Sequence, residues 1–354
     1  MRIIQIIDSL DAGGAEKMAV TYANALSCKL EFSGLVATRR EGDLKSQISQ
    51  NVDYLFLKKK QTIDFKALLK LKSYCKKNRI DCIQAHSSSF FTAVLLKIIL
   101  PKIKIIWHDH YGNSDLLNSR KSFSLKLASL FFEGIIVVNQ TLKTWAEQKL
   151  FCNKIIYLPN FITDNEVEIQ ETNLKGIDRK RILCLANLRK QKDHLFLIEI
   201  VKKINPIYPD WTFHLVGKDF EDKYSKTLKS EIKANNLENS VFIYGTKNDI
   251  GNIINQAEIT ILTSQSEGLP VALLEYGAHK KAVVTTAVGQ IRSIIEHERN
   301  GFVVPVKDVD TFSNSVVRLI ENPSLREKFG VELQKTIRDN YSEKAVIDKF
   351  LKWI

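Results

Sequence analysis

Ala257-Glu258-Ile259-Thr260-Ile261-Leu262-Thr263-Ser264-Gln265-Ser266-Glu267-Gly268-Leu269-Pro270-Val271-Ala272-Leu273-Leu274-Glu275 reads as a buried strand, a tight turn and the opening of a helix. The apolar run Ala257–Leu262 supplies the strand. Pro270 suits the first helical turn, where its missing N–H costs nothing. Gly268 lets backbone approach a bound group closely. The first helical amides have no partner inside the helix and can meet an anion or sugar hydroxyls. Glu267 stands at the mouth, and Glu275 lies where a carboxylate can grip vicinal hydroxyls.

The same strand–turn–helix plan runs outward in both directions. Upstream, strand-like runs at Arg2–Ile7, Leu30–Ala37, Tyr54–Leu57, Cys82–Ala85, Ile103–Trp107, Gly134–Val138 and Ile155–Leu158 alternate with helical patterns. Around the opening stretch, runs at Arg181–Ala186, Thr212–Val216, Val241–Tyr244, Ala282–Thr285 and Phe302–Val304 do the same, and two helical patterns finish the chain. Non-alternating apolar strands separated by helices mean parallel sheets covered on both faces. Pro159 to Arg179 is polar and reads as a linker. The expectation is α/β: two tandem doubly wound, Rossmann-like domains, residues 1–163 and 180–339, joined by 164–179. Ligands in such sheets sit at the carboxyl ends of the strands, so the cleft between the domains is the expected site.

With 354 residues, 44% hydrophobic and 26% charged, the chain is long enough for two ordinary globular cores. No apolar run approaches the roughly 20 residues that span a bilayer. The five cysteines form no Cys-x-x-Cys pair, which argues for a reduced, cytosolic compartment and against a structural zinc. The net charge of +12 is concentrated in the first half: residues 1–165 carry 24 Lys and Arg against 14 Asp and Glu. Lys58, Lys59, Lys60, Lys66 and Lys70 lie in its densest part, where Phe65, Leu68, Leu69, Leu71 and Cys75 fall near helical spacing. A basic amphipathic helix on an anionic membrane surface is the expectation. No aromatic-plus-basic platform points to nucleic acid.

Four further loops carry chemistry. Gly13 and Gly14 precede a helix and let backbone amides approach a phosphate or sugar. Asn187-Leu188-Arg189-Lys190-Gln191-Lys192-Asp193-His194 puts cations at a strand end, where Arg189 offers a fork and Lys192 a point charge to a diphosphate. Val288-Gly289-Gln290 is another glycine turn, and Gly245 closes a strand that could edge a nucleobase. His86, His108 and His110 end two first-domain strands. Without a neighbouring Cys or Glu-x-x-His they are poor evidence for a metal, and the expectation is no metal and no cofactor. A histidine that hydrogen-bonds a substrate hydroxyl fits better.

Taken together, these features resemble the retaining glycosyltransferases of the GT-B fold, family 4. Glu267 and Glu275 enclose seven residues, as in that family's Glu-x7-Glu signature, in the context Ser-Glu-Gly-Leu-Pro-Val. Around them stand, in order, Gly13-Gly14-Ala15-Glu16, His108-Asp109, the Asn187–His194 segment, Val288-Gly289, Asn300-Gly301-Phe302 and Tyr341-Ser342-Glu343. The resemblance implies that the last helix, 340–354, returns to the first domain, which holds the acceptor. It implies that Lys192 binds the donor diphosphate. The usual basic partner is replaced here by Asn187, and Arg189 would supply the missing charge. Glu267 would lie beside the transferred sugar as a catalytic group, with His108 bonding that sugar. Gly268, Leu269, Pro270 and Val271 would contact the sugar or phosphate, and Glu275 the ribose. The implied reaction is metal-independent transfer with retention from a nucleotide-sugar, a UDP-sugar above all. The acceptor would be a lipid-linked or polysaccharide molecule of bacterial surface synthesis, met peripherally on the inner membrane face. The alternatives are a UDP-sugar epimerase of the same architecture, a nicotinamide oxidoreductase and a non-catalytic sugar-nucleotide sensor. The Glu-x7-Glu context weighs against the epimerase, the missing Gly-x-Gly-x-x-Gly against the oxidoreductase, and the intact carboxylates against the sensor.

Overall fold

The computed structural model describes residues 1–112, 117, 120–163 and 170–354. The chain divides into two compact units, Met1–Thr163 with Glu343–Ile354, and Asp164–Ser342. The expected α/β class holds in both, since every strand ladder in the two sheets is parallel.

Unit 1 is built on a seven-stranded sheet, ordered β3-β2-β1-β4-β5-β6-β7. Its strands are β1 (Arg2–Ser9), β2 (Phe32–Arg40), β3 (Asp53–Phe56), β4 (Cys82–His86), β5 (Lys104–Asp109), β6 (Gly134–Val137) and β7 (Ile155–Tyr157). Helices α1 (Gly14–Ser27), α2 (Phe65–Lys77), α3 (Phe90–Ile99), α4 (Phe123–Ala128) and α5 (Gln140–Lys149) connect them. Ile4, Ile6, Ile83, Ile105 and Ile135 come from neighbouring strands and share one buried layer under α2, α3 and α5. The order reverses between β1 and β4, so the loops after those two strands flank a topological switch point.

The terminal helix α12 (Glu343–Trp353) belongs to unit 1. The Glu343 amide donates to the Ile162 carbonyl at 3.0 Å. Phe350 is fully buried, edge-on to Tyr22 with ring centroids 5.5 Å apart. Gly134 is needed beneath it, because a Cβ there would run into the Trp353 ring. The return begins at residue 343 rather than 340, because the preceding helix continues to Tyr341.

Unit 2 holds a six-stranded sheet, ordered β10-β9-β8-β11-β12-β13. Its strands are β8 (Arg181–Leu185), β9 (Thr212–Val216), β10 (Val241–Ile243), β11 (Ile259–Leu262), β12 (Ala282–Thr286) and β13 (Phe302–Val304). The helices are α6 (His194–Ile204), α7 (Lys223–Ala234), α8 (Ile250–Asn255), α9 (Val271–Ala278), α10 (Val309–Glu321) and α11 (Pro323–Tyr341). Here the switch point falls between β8 and β11, the two strands whose following loops carry Lys192 and Glu267.

The stretch expected as a linker is only partly one. Residues 164–169 lie outside the described residues. Residues 171–175 are fastened to unit 2: the Glu171 and Thr172 amides donate to Asp249 at 3.0 and 2.7 Å, the Leu174 amide to Gln256 at 2.9 Å, and the Lys175 amide to the Tyr244 hydroxyl at 2.9 Å. Polarity there serves docking onto the two ends of α8 and onto Tyr244.

Among the described residues no helix is long and apolar enough to cross a membrane. All five cysteines are free, and four of them are buried.

Candidate active site

In unit 2 the loops after β8, β11 and β12 are laced into one platform. The Gln265 amide donates to the Gln191 carbonyl at 2.8 Å, and the Gln191 side chain donates back to the Ser266 carbonyl at 2.8 Å. Thr263 Oγ1 donates to the Lys192 carbonyl at 2.9 Å. Thr286 Oγ1 donates to the Ser264 carbonyl at 2.6 Å. Asp193 sits in the left-handed region at φ 52° and caps α6 through the Phe196 amide. Its other oxygen receives Gln265 Nε2 at 2.8 Å. Backbone strain of this kind persists only where the surroundings hold it, and here two loops do so.

On this platform Lys192 Nζ meets Glu267 Oε1 at 2.5 Å, and Ser264 Oγ donates to the same oxygen at 2.6 Å. The Glu267 side chain is 6% exposed and that of Lys192 23%. A cation and a carboxylate seventy-five positions apart are thus brought together at a strand-end platform. Gly268, Leu269 and Pro270 are buried beside them, and α9 starts at Val271 without a side-chain cap. Glu275 is partly exposed one turn along.

Gly289 supports the platform from below. Its φ is +51°, and a Cβ there would run into the Glu267 carbonyl oxygen. The Gln290 amide then donates to the Gly268 carbonyl at 3.1 Å. Sequence reasoning placed this glycine in a turn near the site but not its work, which is to let two backbones touch.

The other residues expected in unit 2 divide between surface and scaffold. Arg189 is exposed and its guanidinium lies 4.6 Å from the Phe220 ring centroid. Asn187 holds the neighbouring loop, accepting from the Lys218 amide at 2.8 Å. His194 is fully buried behind the motif, and burial lowers its pKa to about 4. Gly245 has φ +69° with open space where a Cβ would stand, and its carbonyl accepts from Gly217 at 3.0 Å. Phe220, the aromatic shelf under Arg189, was missed; it follows β9 with no motif around it.

In unit 1, Gly13 is the extended residue before α1, and Gly14 is exposed as its first residue. The three histidines converge. His86 Nδ1 lies 2.9 Å from His110 Nε2, and His86 Nε2 2.8 Å from Gln5 Oε1. His108 Nδ1 lies 2.9 Å from Gln84 Nε2. Burial pushes His86 and His108 well below the usual imidazole range and His110 to about 3, so all three rings are neutral. His108, the ring expected beside the sugar, packs against both other imidazoles of this cluster. Its side chain is 0% exposed, on an inward-facing position of β5, and the outer ring of the cluster is His110. Asp109 is also structural: Arg120 grips it with two bonds of 2.7 and 2.9 Å and stacks on Tyr111 and Trp145.

The basic stretch divides as well. Lys58, Lys60, Lys66 and Lys70 are exposed. Lys59 is not: it is 8% exposed, its Nζ donates to Thr92 at 2.8 Å, and desolvation lowers its pKa. On α2, Leu68, Leu71 and Cys75 join the core, while Phe65 is 73% and Leu69 59% exposed. The sequence did not single out Phe123, Leu127, Leu130 and Phe131, in and just after α4, which are also exposed.

Two family patterns match the chain. Residues 12–166 match the family described as Glycosyltransferase Family 4, and residues 165–336 match Glycosyl transferases group 1. An uncharacterized glycosyltransferase of Haemophilus influenzae is 24% identical, over 96% of this chain and 95% of its own. The UDP-Gal:alpha-D-GlcNAc-diphosphoundecaprenol alpha-1,3-galactosyltransferase of Escherichia coli is 26% identical, over 74% of this chain and 72% of its own. Anabaena HepE, solved with UDP and glucose, superposes with a TM-score of 0.83 at 18% identity, covering 99% of this chain and 98% of that one. With both sheets, the site loops and these two matches end to end along the sequence, the chain belongs to the family 4 glycosyltransferases of the GT-B fold and is an enzyme of the hexosyl-transferring class.

Proposed function

We propose that the chain transfers a hexose with retention of configuration from a UDP-sugar to a lipid-linked or polysaccharide acceptor in bacterial surface polysaccharide synthesis. The observation that carries this reading is the Lys192–Glu267 pair at the β8/β11 switch point, beside the uncapped start of α9. Lys192 would leave Glu267 for the donor diphosphate. Arg189 and the amides around Gly268–Val271 would share the charge that grows on the leaving group as the glycosidic bond breaks. Glu267, released from Lys192 and still held by Ser264, would then face an oxocarbenium-like sugar. Glu275 would bond the ribose, and Gly245 leaves room for a base. The acceptor oxygen would attack from the face the leaving group vacates, its proton passing to a phosphate oxygen. No metal ion is needed at the diphosphate in this scheme, because Lys192 and Arg189 supply the positive charge. In unit 1, Gly13 and Gly14 present backbone donors suited to phosphate or sugar oxygens.

The UDP preference is supported by the UDP-Gal donor of the Escherichia coli relative and by the UDP bound in Anabaena HepE. The membrane-side acceptor is supported by the exposed lysines and apolar side chains of α2 and α4. The test is a pair of variants. Glu267→Gln should lower the transfer rate on the order of a hundredfold or more while UDP still binds. Lys192→Ala should instead weaken UDP binding by about 10–100-fold, the worth of a charge-assisted contact. Normal transfer by both variants would show that the site is elsewhere.

A further inference from the structure

At the switch point of unit 1 the strand ends bring together polar side chains that have no task in the transfer scheme. Asp8 lies near the carboxyl end of β1. Its Oδ1 accepts from Thr38 Oγ1 at 2.6 Å, and its Oδ2 from Ser88 Oγ at 2.7 Å. Thr38 belongs to β2 and Ser88 to the turn after β4, the two strands that flank β1 in the sheet. Arg39 Nε stands 4.0 Å from Asp8 Oδ1, and the two side chains are 38% and 28% exposed. The carboxylate is therefore fixed from both sides and still open to solvent.

Two backbone irregularities aim these groups. Ile7 pairs with Ala37 but Ser9 with Arg40, so Asp8 alone stands opposite Thr38 and Arg39. Such bulges gather next to functional sites, where they re-aim a side chain. On the other flank Ser87 has φ +50°. Its carbonyl accepts from Trp107 Nε1 at 2.9 Å, and Ser89 Oγ donates to the Ile6 carbonyl at 2.7 Å. A left-handed serine persists only where its surroundings over-determine it. Here β1 and β5 do so, and Ser88 is thereby delivered to Asp8.

We propose that Asp8, Ser88 and Arg39 bind the acceptor, and that this acceptor carries a sugar joined to a phosphate or diphosphate. A carboxylate offers about four lone-pair positions. Thr38 and Ser88 take two of those on Asp8, which leaves room for a vicinal pair of sugar hydroxyls. The Arg39 contact is too long for a hydrogen bond, so its N–H fork remains for phosphate oxygens, which a guanidinium matches in shape. Lys58 and Lys60, exposed just beyond β3, add to the attraction, while Lys59 is turned inward to Thr92. Like charges repel, so the phosphate lies on the Arg39 side and the hydroxyls lie on Asp8. A neutral polyol would leave the cations unused, and a bare phosphate would meet Asp8. Calling the ligand an acceptor rests on the transfer reading; its binding needs no donor.

The experiment titrates the full chain, without donor, against the methyl diphosphate esters of glucose, galactose and N-acetylglucosamine, with the methyl glycosides alongside, by NMR. Expected is binding of at least one diphosphate, tighter than its glycoside and not displaced by UDP. Asp8→Asn keeps the shape and loses the charge, and should weaken binding of diphosphate and glycoside alike by at least about tenfold. Arg39→Gln should abolish the preference for the diphosphate. Circular dichroism checks that each variant is folded. The proposal is overturned if no diphosphate binds, if UDP displaces it, or if Asp8→Asn binds as the parent does. UDP binding and UDP release from UDP-sugars, measured on the same parent protein, report on the transfer reading separately.

Discussion

At the scale of single residues, the candidate site depends on contacts that permit no substitution by size. Gly289 has φ +51° and touches the backbone that carries Glu267. Any side chain there meets both a left-handed backbone and the Glu267 carbonyl. Gly289→Ala should therefore cost at least about 2 kcal/mol in unit 2, combining left-handed strain with steric displacement. It should also move Glu267 relative to Lys192 and cut transfer more steeply than it cuts stability. Urea unfolding beside transfer rates checks this; a variant with normal rate and stability would sink it. The residue scale is also where the sequence was least legible. The Asn187–His194 motif reads as one cationic loop, yet Arg189 is exposed and Lys192 meets Glu267, while Asn187, Asp193 and His194 hold loops and a helix cap. Spacing cannot separate these roles, because binding and bracing residues share the same polar types. Lys59 is buried for the same kind of reason: a lysine run does not tell which member turns inward to Thr92.

At the scale of elements, the sequence was far more legible. All thirteen strands among the described residues fall on apolar runs visible in the chain, because buried parallel strands leave little room for polar residues. Strand order was not visible, since the pairing of β1 with β4 and of β8 with β11 joins segments far apart in sequence. Helix faces were half visible. In α2 the apolar positions number more than one stripe can hold, and the structure buries Leu68 and Leu71 while leaving Phe65 and Leu69 outside beside Lys66 and Lys70. Phe123 of α4 is 79% exposed and follows Lys121 closely. Exposed aromatics beside lysines suit an interfacial role, in which apolar burial and attraction to anionic lipid act together. The proposed membrane face therefore predicts that the chain floats with vesicles containing anionic lipid. Phe65→Ser with Leu69→Ser, or Phe123→Ser with Leu127→Ser, should weaken flotation several-fold without changing the melting temperature, since none of these side chains supports the core. Flotation insensitive to both pairs, or absent at low salt, would remove the membrane face.

At the scale of the molecule, five histidines whose pKa desolvation depresses couple stability to pH in both units. His86, His108 and His110 lie in unit 1, His194 and His214 in unit 2. Burial lowers the first two well below 6.5, takes His110 and His214 to about 3, and takes His194 to about 4. In the unfolded chain each would take a proton near pH 6.5. Between that pH and the depressed folded values the unfolded state binds more protons, so unfolding becomes easier as pH falls. The stabilisation is complete above about pH 6.5, and below it each ring removes up to about 1.4 kcal/mol per pH unit. Carboxylates lose their contribution only at lower pH, so the window from pH 7 to 5.5 isolates the histidines. His214 can be removed with least disturbance, because its partners Thr212 Oγ1 and the Tyr244 hydroxyl, at 2.8 and 2.9 Å, can bond a glutamine amide. His214→Gln should thus lose less unfolding free energy than the parent between pH 7 and 5.5, with the difference confined to the transition of unit 2. Equal losses in the two proteins would mean that the ring is already protonated, or satisfied, in the folded state.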